Sequence, residues 1–483
     1  MKILFAASEA APYIKTGGLG DVALALPKAL AAAGHEVKIV LPLYGAIKRN
    51  EPLFSRLSFV SDYQTKLAWR SQYSGLFREG EGHNPEYLFI DNEYYFNRNA
   101  STRIYGDGDD GERFAFFSRA LLEGLSVLGF TPDIIHCNDW QTALVPTFLR
   151  QFYPQYHGIK TVFTIHNIEY QGKMPQAFAW DVAGVDRYFT ERLTYDGCIN
   201  LMKGAIVEAD AITTVSETYA SEILGAFFGQ GLHGILGENR AKLCGIVNGI
   251  DTDVFNPETD PALAVNYKGT VAGLAARQEN KRFLQERLGL ALDENVPIVS
   301  MVGRLVSHKG LDLVEHILHE IMALGVQFVV LGTGDRRYEE RLSEIASRYP
   351  GRMSVNILFD GALASQIYAG SDLFLMPSLT EPCGLSQMVA MRYGAVPIVR
   401  ETGGLHDTVP AYHPIEKTGR GFTFVDYNAH EMLGAIRRAV TMYREQKMDF
   451  DALQRRNMKE AFGWELSVKR YEALYRRLCG REE

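Results

Sequence analysis

The sequence has no long apolar run and few cysteines. No stretch of about 18 uncharged apolar residues occurs, which excludes a membrane-spanning helix. Residues 1–12 carry one Lys and a short apolar run that ends at Glu9. This run is too short for a secretory signal, and an acidic residue follows it too early. The five cysteines are scattered without a CxxC pair, so a disulfide scaffold or a zinc ribbon is not expected. We therefore expect a protein of the reducing cytoplasm, with no membrane partner.

An excess of positive charge is also missing. The net charge is −8, so a broad electrostatic surface for nucleic acid is not expected and an anionic ligand must be held by a few local cations. The 46% hydrophobic and 22% charged residues are those of an ordinary globular protein. With 483 residues the chain exceeds the size of one hydrophobic core, which favours two domains of about 240 residues each over three smaller ones.

Short β-branched runs alternate with helical patterns in both halves of the chain. This alternation predicts βαβ units, parallel sheets and an α/β protein with two doubly wound domains. The predicted strands of the first half are Lys2–Ala7, Glu36–Leu41, Ile134–Cys137, Lys160–Ile165 and Ala211–Val215. Those of the second half are Pro297–Val302, Gln327–Leu331, Leu373–Met376 and Val396–Val399. The predicted helices include Leu19–Ala33, Leu311–Leu324, Tyr338–Tyr349 and Ser386–Tyr393.

The Gly/Asn/Asp-rich stretch Cys244–Pro257 predicts the boundary between the two domains. We expect one domain over residues 1–245, a second over 246–463, and a C-terminal segment 464–483 whose amphipathic helix packs back on the first domain. The aromatic-rich segment Tyr44–Gly111 breaks the alternation and predicts an insertion with a β-hairpin.

Ligands of open α/β sheets bind at the carboxyl ends of the strands. Seven such ends here carry Gly, cations or carboxylates, which predicts a cleft shared by two domains that face each other. After the first strand, the Gly-rich turn at Lys15, Gly17 and Gly18 opens a helix. It fits either a phosphate cradle or a tight structural turn, and it matches neither GxGxxG nor a Walker A loop.

Two cations follow a strand of the second half. Arg304 and Lys309 form a pair suited to a pyrophosphate, or an ordinary solvated pair. Glu381 either accepts sugar hydroxyls or is a carboxylate at a helix start. Cys383 is better read as a small buried side chain than as a nucleophile. His166 fits an acid/base, a hydroxyl ligand or a structural histidine, and no metal-ligand spacing accompanies it.

Several motifs together resemble those of bacterial glycogen synthases and plant starch synthases. They are KTGGLGDV, NDW, TIHN, VNGID, GRL followed by HKG, EPCGL, and ETGGL followed by DTV, in family order over nearly the whole chain. The resemblance implies a retaining glycosyltransferase of the GT-B fold, with two Rossmann-like domains across a deep cleft. The first would be of the starch synthase catalytic type on the acceptor side, and the second would bind the nucleotide sugar. The implied reaction transfers glucose from ADP-glucose to the non-reducing end of an α-1,4-glucan such as glycogen, without a cofactor or a metal.

The resemblance also assigns roles to residues. His166, Glu381, Arg304, Lys309 and Asp139 would be catalytic. The substrate-binding residues would be Lys15, Gly17, Gly18, Asn248, Phe359, Cys383, Gly384, Leu385, Thr402, Gly403 and Gly404. Within these sets, His166 would bind the 6-hydroxyl of the donor glucose, Glu381 the 3-hydroxyl, and Phe359 would stack on the adenine.

The sequence departs from the family pattern at three places. Gln141 replaces a frequent His after Asp-Trp, Leu379-Thr380 replaces an aromatic pair, and Phe359 replaces a frequent Tyr. The alternatives are an α-glucan phosphorylase-like or other GT-B enzyme and a non-catalytic glycan-binding protein. A nicotinamide dehydrogenase is disfavoured because no GxGxxG fingerprint is present.

Overall fold

A computed structural model describes residues 1–98 and 104–481. Residues 99–103 of the predicted insertion and residues 482–483 of the predicted C-terminal segment lie outside this range. The chain divides into two compact units, the first formed by Met1–Gly249 with Trp464–Glu483 and the second by Ile250–Gly463. Among the described helices, none combines the length and apolar character that a bilayer crossing requires.

The first unit is built on a large, mainly parallel sheet. In the described residues its strands are β1 (Lys2–Ala6), β2 (Glu36–Pro42), β3 (Ser58–Leu67), β4 (Arg70–Glu79), β5 (Glu86–Asp91), β6 (Ile134–Asn138), β7 (Lys160–Ile165), β8 (Lys173–Met174), β9 (Thr194–Tyr195), β10 (Cys198–Asn200), β11 (Ala211–Thr214) and β12 (Leu243–Gly245). The large sheet has the order β12-β11-β7-β6-β1-β2-β5-β4-β3, while β8, β10 and β9 form a small antiparallel sheet. Only the β3–β4 and β4–β5 pairings of the large sheet are antiparallel in the part described. The predicted insertion therefore contains the expected hairpin, β3–β4, and a further parallel strand, β5, that the sequence reading missed.

Helices cover this sheet. They are α1 (Gly18–Ala32), α2 (Gly45–Lys48), α3 (Glu51–Phe54), α4 (Glu93–Phe96), α5 (Asp110–Leu128), α6 (Leu144–Phe152), α7 (Phe178–Asp181), α8 (Arg187–Leu193), α9 (Leu201–Glu208), α10 (Glu217–Glu222) and α11 (His233–Glu238). The strands β1, β6 and β7 are almost wholly buried, as expected for central parallel strands with helices on both faces.

The second unit has one parallel sheet. Its described strands are β13 (Ile298–Val302), β14 (Gln327–Leu331), β15 (Met353–Asn356), β16 (Leu373–Met376), β17 (Val396–Arg400) and β18 (Phe422–Phe424), in the order β15-β14-β13-β16-β17-β18. Its helices are α12 (Val271–Arg287), α13 (Leu311–Ala323), α14 (Arg336–Ala346), α15 (Gly361–Gly370), α16 (Ser386–Arg392), α17 (Gly403–Thr408), α18 (Ala429–Glu445) and α19 (Lys447–Met458). The order reverses direction between β13 and β16, so this sheet is doubly wound and has a switch point where ligands of such folds bind.

The last helix, α20 (Glu465–Leu478), belongs to the first unit although it follows the second in the chain. Its Tyr475 is fully buried, and the hydroxyl lies 2.7 Å from Nδ1 of His136 on β6. The other ring nitrogen of His136 lies 2.5 Å from Oγ1 of Thr164 on β7. The helix is thus fixed to the centre of the sheet by a buried polar chain as well as by apolar packing.

Candidate active site

The candidate residues of the first unit follow the carboxyl ends of its parallel strands. Lys15 follows β1, Asp139 follows β6, His166 follows β7 and Asn248 follows β12. Because β1, β6 and β7 are adjacent and parallel, the first three lie at one edge of the sheet. Asn248 is buried, and its Oδ1 has no hydrogen-bond partner among the described residues.

Asp139 holds the main chain at His166. Its Oδ1 accepts hydrogen bonds from the backbone N–H of His166 at 2.8 Å and of Asn167 at 3.4 Å. Its φ of 54° is combined with a ψ of −179°, a backbone conformation that is essentially confined to glycine and is therefore strained for an aspartate. Burial raises the pKa of Asp139 to about 7, against the opposing effect of the two backbone N–H groups. A strained residue with a carboxylate of raised pKa at a strand end is typical of a functional position.

His166 is oriented by the residue before Asp139. Its Nε2 lies 2.8 Å from Oδ1 of Asn138, which is fully buried at the end of β6. Burial lowers the pKa of His166 to about 3, so the ring is neutral at physiological pH. The sequence reading quoted Asn138 in its motif without giving it a role.

The Gly-rich turn of the first unit is held by a carboxylate that the sequence reading overlooked. Glu9 is buried, and its carboxylate accepts the backbone N–H of Thr16 at 2.9 Å and of Gly20 at 3.0 Å. Burial raises the pKa of Glu9, and the hydrogen bonds from these groups and from the Gly17 backbone oppose that shift. The N-terminus of α1 is therefore partly occupied by an anion from the chain itself. Nζ of Lys15, meanwhile, lies 2.7 Å from Oδ1 of Asp21.

The second unit repeats this placement. Arg304 and Lys309 follow β13, Phe359 follows β15, Glu381 follows β16, and the Thr402–Gly404 stretch follows β17. The Arg304 side chain is exposed and forms no ion pair with any residue the structure describes. Phe359 is 84% exposed, as a ring that stacks on a ligand must be before binding.

Lys309 and Glu381 form a direct ion pair. Nζ of Lys309 lies 2.7 Å from Oε2 of Glu381, whose side chain is 8% exposed. The same oxygen accepts a hydrogen bond from Ser378 Oγ at 2.9 Å. One of the three ammonium hydrogens of Lys309 is thereby used, which leaves two for an anionic ligand.

The Glu381 turn and the α17 start are locked together. The Gly404 N–H donates to the carbonyls of Glu381 at 3.1 Å and Pro382 at 3.2 Å. A Cβ on Gly403, whose φ is 45°, would lie 2.1 Å from the Glu381 carbonyl oxygen, so only glycine fits there. A phosphate contact by the Gly404 amide requires this hydrogen bond to break.

The turn at Cys383, Gly384 and Leu385 is braced by Gln387 of α16. Its Nε2 donates to the carbonyls of Cys383 at 3.1 Å and Gly384 at 2.9 Å. Cys383 is buried, as expected of a small packing residue. Gln387 was not among the predicted site residues, and its role is visible only once the turn is seen.

An acidic loop outside this set is neutralised by arginines. Ligand atoms of Asp107, Asp109 and Asp110 lie within 4.8 Å of one another. Arg98 Nη1 lies 2.6 Å from Oδ1 of Asp109, and Arg113 Nε lies 2.9 Å from Oδ1 of Asp110. These pairs neutralise part of the negative charge of the loop.

Two family profiles match the chain. The profile of the starch synthase catalytic domain matches residues 2–238, and that of glycosyl transferases group 1 matches residues 283–456. The glycogen synthase of Desulfitobacterium hafniense is 48% identical over 99% of this chain and 99% of its own length. That of Geobacillus stearothermophilus is 48% identical over 100% and 99%. The chain belongs to the glycogen synthase family. It is a glycosyltransferase, as the motifs predicted.

Solved structures agree with this membership of the glycogen synthase family. The catalytic domain of starch synthase IV from Arabidopsis thaliana, solved bound to ADP and acarbose, has a TM-score of 0.90 and 35% identity over 99% of both chains. A sucrose-phosphate synthase from Thermosynechococcus elongatus matches over 100% of both chains, with a TM-score of 0.61 and 18% identity, and shows the fold alone. The predicted GT-B fold with two α/β domains is confirmed.

Proposed function

We propose that this glycogen synthase family member transfers glucose from ADP-glucose to the non-reducing end of an α-1,4-glucan, with retention of configuration and release of ADP. The observation that carries the proposal is similarity along the full chain to glycogen synthases and to a starch synthase bound to ADP and acarbose. Acarbose resembles an oligosaccharide, so that neighbour holds both a nucleotide and a glucan-like molecule.

In the proposed reaction, the bond between C1 of glucose and the phosphate oxygen breaks and a bond from C1 to the acceptor oxygen forms. The departing phosphate takes the proton of the acceptor hydroxyl on the same face of the sugar, which retains the configuration. No protein nucleophile is needed. Negative charge grows on the diphosphate, and the protein contributes fixed positive charge there.

Arg304 and Lys309 supply this charge. The exposed guanidinium of Arg304 forms no ion pair in the described chain, so it is available to a ligand. Lys309 is pre-positioned by Glu381, at 2.7 Å. Phe359 stacks on the adenine, and the remaining contacts to the nucleotide come from Lys15, the Gly17–Gly18 turn and the Thr402–Gly404 stretch.

The sugar is held by Glu381 and His166. Glu381 binds the 3-hydroxyl, with the backbone of Cys383, Gly384 and Leu385 beside it. His166 binds the 6-hydroxyl, while Asp139 and Asn248 lie near the reacting sugar and the acceptor. Asp139 also positions His166, since its Oδ1 accepts a hydrogen bond from the His166 backbone N–H at 2.8 Å.

The test compares initial rates of nucleotide release from ADP-glucose and from UDP-glucose, with and without glycogen. We expect glycogen-dependent release of ADP, and the absence of such release would overturn the proposal. Arg304→Ala should lower kcat by roughly 10²–10³-fold. The matched control is Arg282→Ala, an exposed arginine within α12 of the same unit that pairs with Glu286 in the described chain, and it should retain full turnover.

A further inference from the structure

The amide of Asn138 has one possible orientation. Its Nδ2 lies 3.0 Å from the carbonyl oxygen of Ala6 on β1 and 3.4 Å from that of His136 on its own strand. A carbonyl oxygen only accepts hydrogen bonds, so the atom facing both of them must be the NH₂ group. If the amide were reversed, Oδ1 of Asn138 would face these two carbonyl oxygens and would be a buried acceptor without a donor. Oδ1 therefore points at His166.

This orientation dictates which ring nitrogen of His166 carries the proton. Oδ1 of Asn138 is an acceptor, and Nε2 of His166 lies 2.8 Å from it, so Nε2 must donate. Since burial lowers the pKa of His166 to about 3, the ring carries one proton and Nδ1 holds a bare lone pair. The backbone of the same residue is fixed by Asp139, which accepts its N–H at 2.8 Å.

We propose that Asn138 is a positioning residue that holds His166 in the Nε2–H tautomer, so that Nδ1 accepts a hydrogen bond from the 6-hydroxyl of the donor sugar. The proposal rests on the proposed function, which places that hydroxyl at His166. It adds the direction of the hydrogen bond and hence a rule of selectivity. A sugar must offer a donor hydrogen at position 6, and a group that only accepts is repelled by the Nδ1 lone pair.

Two substrate analogues distinguish this hydrogen-bond requirement from an effect of the size of the group at position 6. ADP-6-deoxyglucose presents neither donor nor acceptor at position 6, and ADP-6-deoxy-6-fluoroglucose presents a weak acceptor only. The wild-type enzyme should use the fluoro analogue less well than the deoxy analogue. In Asn138→Leu the ring is free to place its proton on Nδ1 and donate to fluorine. The ratio of kcat/KM for fluoro over deoxy should then rise by roughly two- to threefold, the lower end of the effect of one hydrogen bond, because fluorine is a weak acceptor.

Comparing this ratio between the two proteins cancels the intrinsic effect of fluorine on the chemistry. The control is Asn457→Leu in the second unit, where a fully buried amide donates to the Arg420 carbonyl at 2.7 Å and has no hydrogen bond to a histidine among the described residues. It should leave the ratio at the wild-type value. An unchanged ratio in Asn138→Leu would overturn the proposal.

A spectroscopic measurement needs no folded Asn138 variant. Histidine labelled with ¹⁵N in the ring, with His166 assigned by its absence from His166→Gln, reports the tautomer of the wild-type full-length enzyme. The Nε2–H form supports the proposal, and an Nδ1–H or doubly protonated ring overturns it. If His166 shows the Nε2–H form but ADP-glucose is not turned over, the proposed function fails while the role of Asn138 in setting the tautomer stands.

Discussion

Removal of the Lys309 ammonium should destabilise the second unit as well as slow turnover. In Lys309→Ala the Glu381 carboxylate, 8% exposed, keeps one side-chain partner among the described residues, the Ser378 hydroxyl at 2.9 Å. A charged group that loses its partner in a largely buried place costs more than an exposed ion pair contributes. Stability and catalysis should therefore fall together at Lys309, whereas Arg304→Ala should affect catalysis alone.

The expected loss follows from the geometry of the pair. A hydrogen bond to a charged group contributes about 1.5–3 kcal/mol, and the 25% exposure of the Lys309 side chain places the pair within that range rather than among fully buried pairs. For a unit of this size each kcal/mol lowers Tm by roughly 2–4 °C, so we expect a fall of about 3–12 °C. Lys268→Ala is the matched control, because its pair with Glu258 is 69% and 44% exposed and should contribute only about 0.2–1 kcal/mol.

Calorimetry of the ligand-free protein at neutral pH and low salt measures these losses. The double variant Lys309→Ala with Glu381→Gln should be more stable than Lys309→Ala alone, since a neutral amide needs no cation. The reasoning is refuted if Lys309→Ala melts with the wild type, or if the second change brings no recovery.

Three further predictions concern other residues. Because the pKa of Asp139 rises to about 7 on folding, the charged form of this side chain opposes folding above pH 7. Urea unfolding should therefore show that Asp139→Asn is more stable than the wild type above pH 7, and this advantage should shrink by roughly 1.4 kcal/mol per pH unit as the pH falls toward 4. A difference in stability that does not change with pH would contradict the prediction. Phe359→Ala should raise KM for ADP-glucose several-fold, by about 0.5–1.5 kcal/mol of stacking, with an unchanged Tm because the ring is 84% exposed. Tyr475→Phe should lower the free energy of unfolding, measured by denaturant titration, by about 1–3 kcal/mol, because it leaves the buried Nδ1 of His136 unpaired; full stability would show that the hydrogen bond contributes nothing.

The regular part of the fold could be predicted because buried parallel strands consist of short runs of β-branched and other apolar residues. Lys160–Ile165, Gln327–Leu331 and Leu373–Met376 have the predicted bounds, and the other predicted strands differ by a residue at an end. The missed strands lie toward sheet edges, such as Met353–Asn356 and Phe422–Phe424, where runs of three or four residues carry little pattern. Tertiary pairing decides such strands.

The site could be predicted as far as it depends on strand ends. His166 stands directly after a buried strand, and Arg304 and Glu381 follow theirs within two and five residues, so topology brings each to the carboxyl edge of its sheet. Their partners could not be predicted, because Ser378 and Gln387 are ordinary residues whose role depends on where a side chain points. Asn138 is intermediate, since it adjoins Asp139 in a motif but matters through a carbonyl on β1.

The Gly-rich turn shows why local sequence leaves two interpretations open. A cradle for phosphate and a tight structural turn need the same glycines, because both bring backbone N–H groups toward one oxygen. The two interpretations differ in whether that oxygen belongs to a ligand or to the protein. Here the carboxylate of Glu9, in the loop after β1, already accepts hydrogen bonds from the N–H groups of Thr16 and Gly20. The same contacts draw the turn into the shape that carries Lys15, whose stem packs where a Cβ on Gly20 would lie, 2.9 Å from its Cγ. The described contacts thus give the turn a structural role, and the proposed nucleotide contact of Gly17 and Gly18 has to be made beside Glu9.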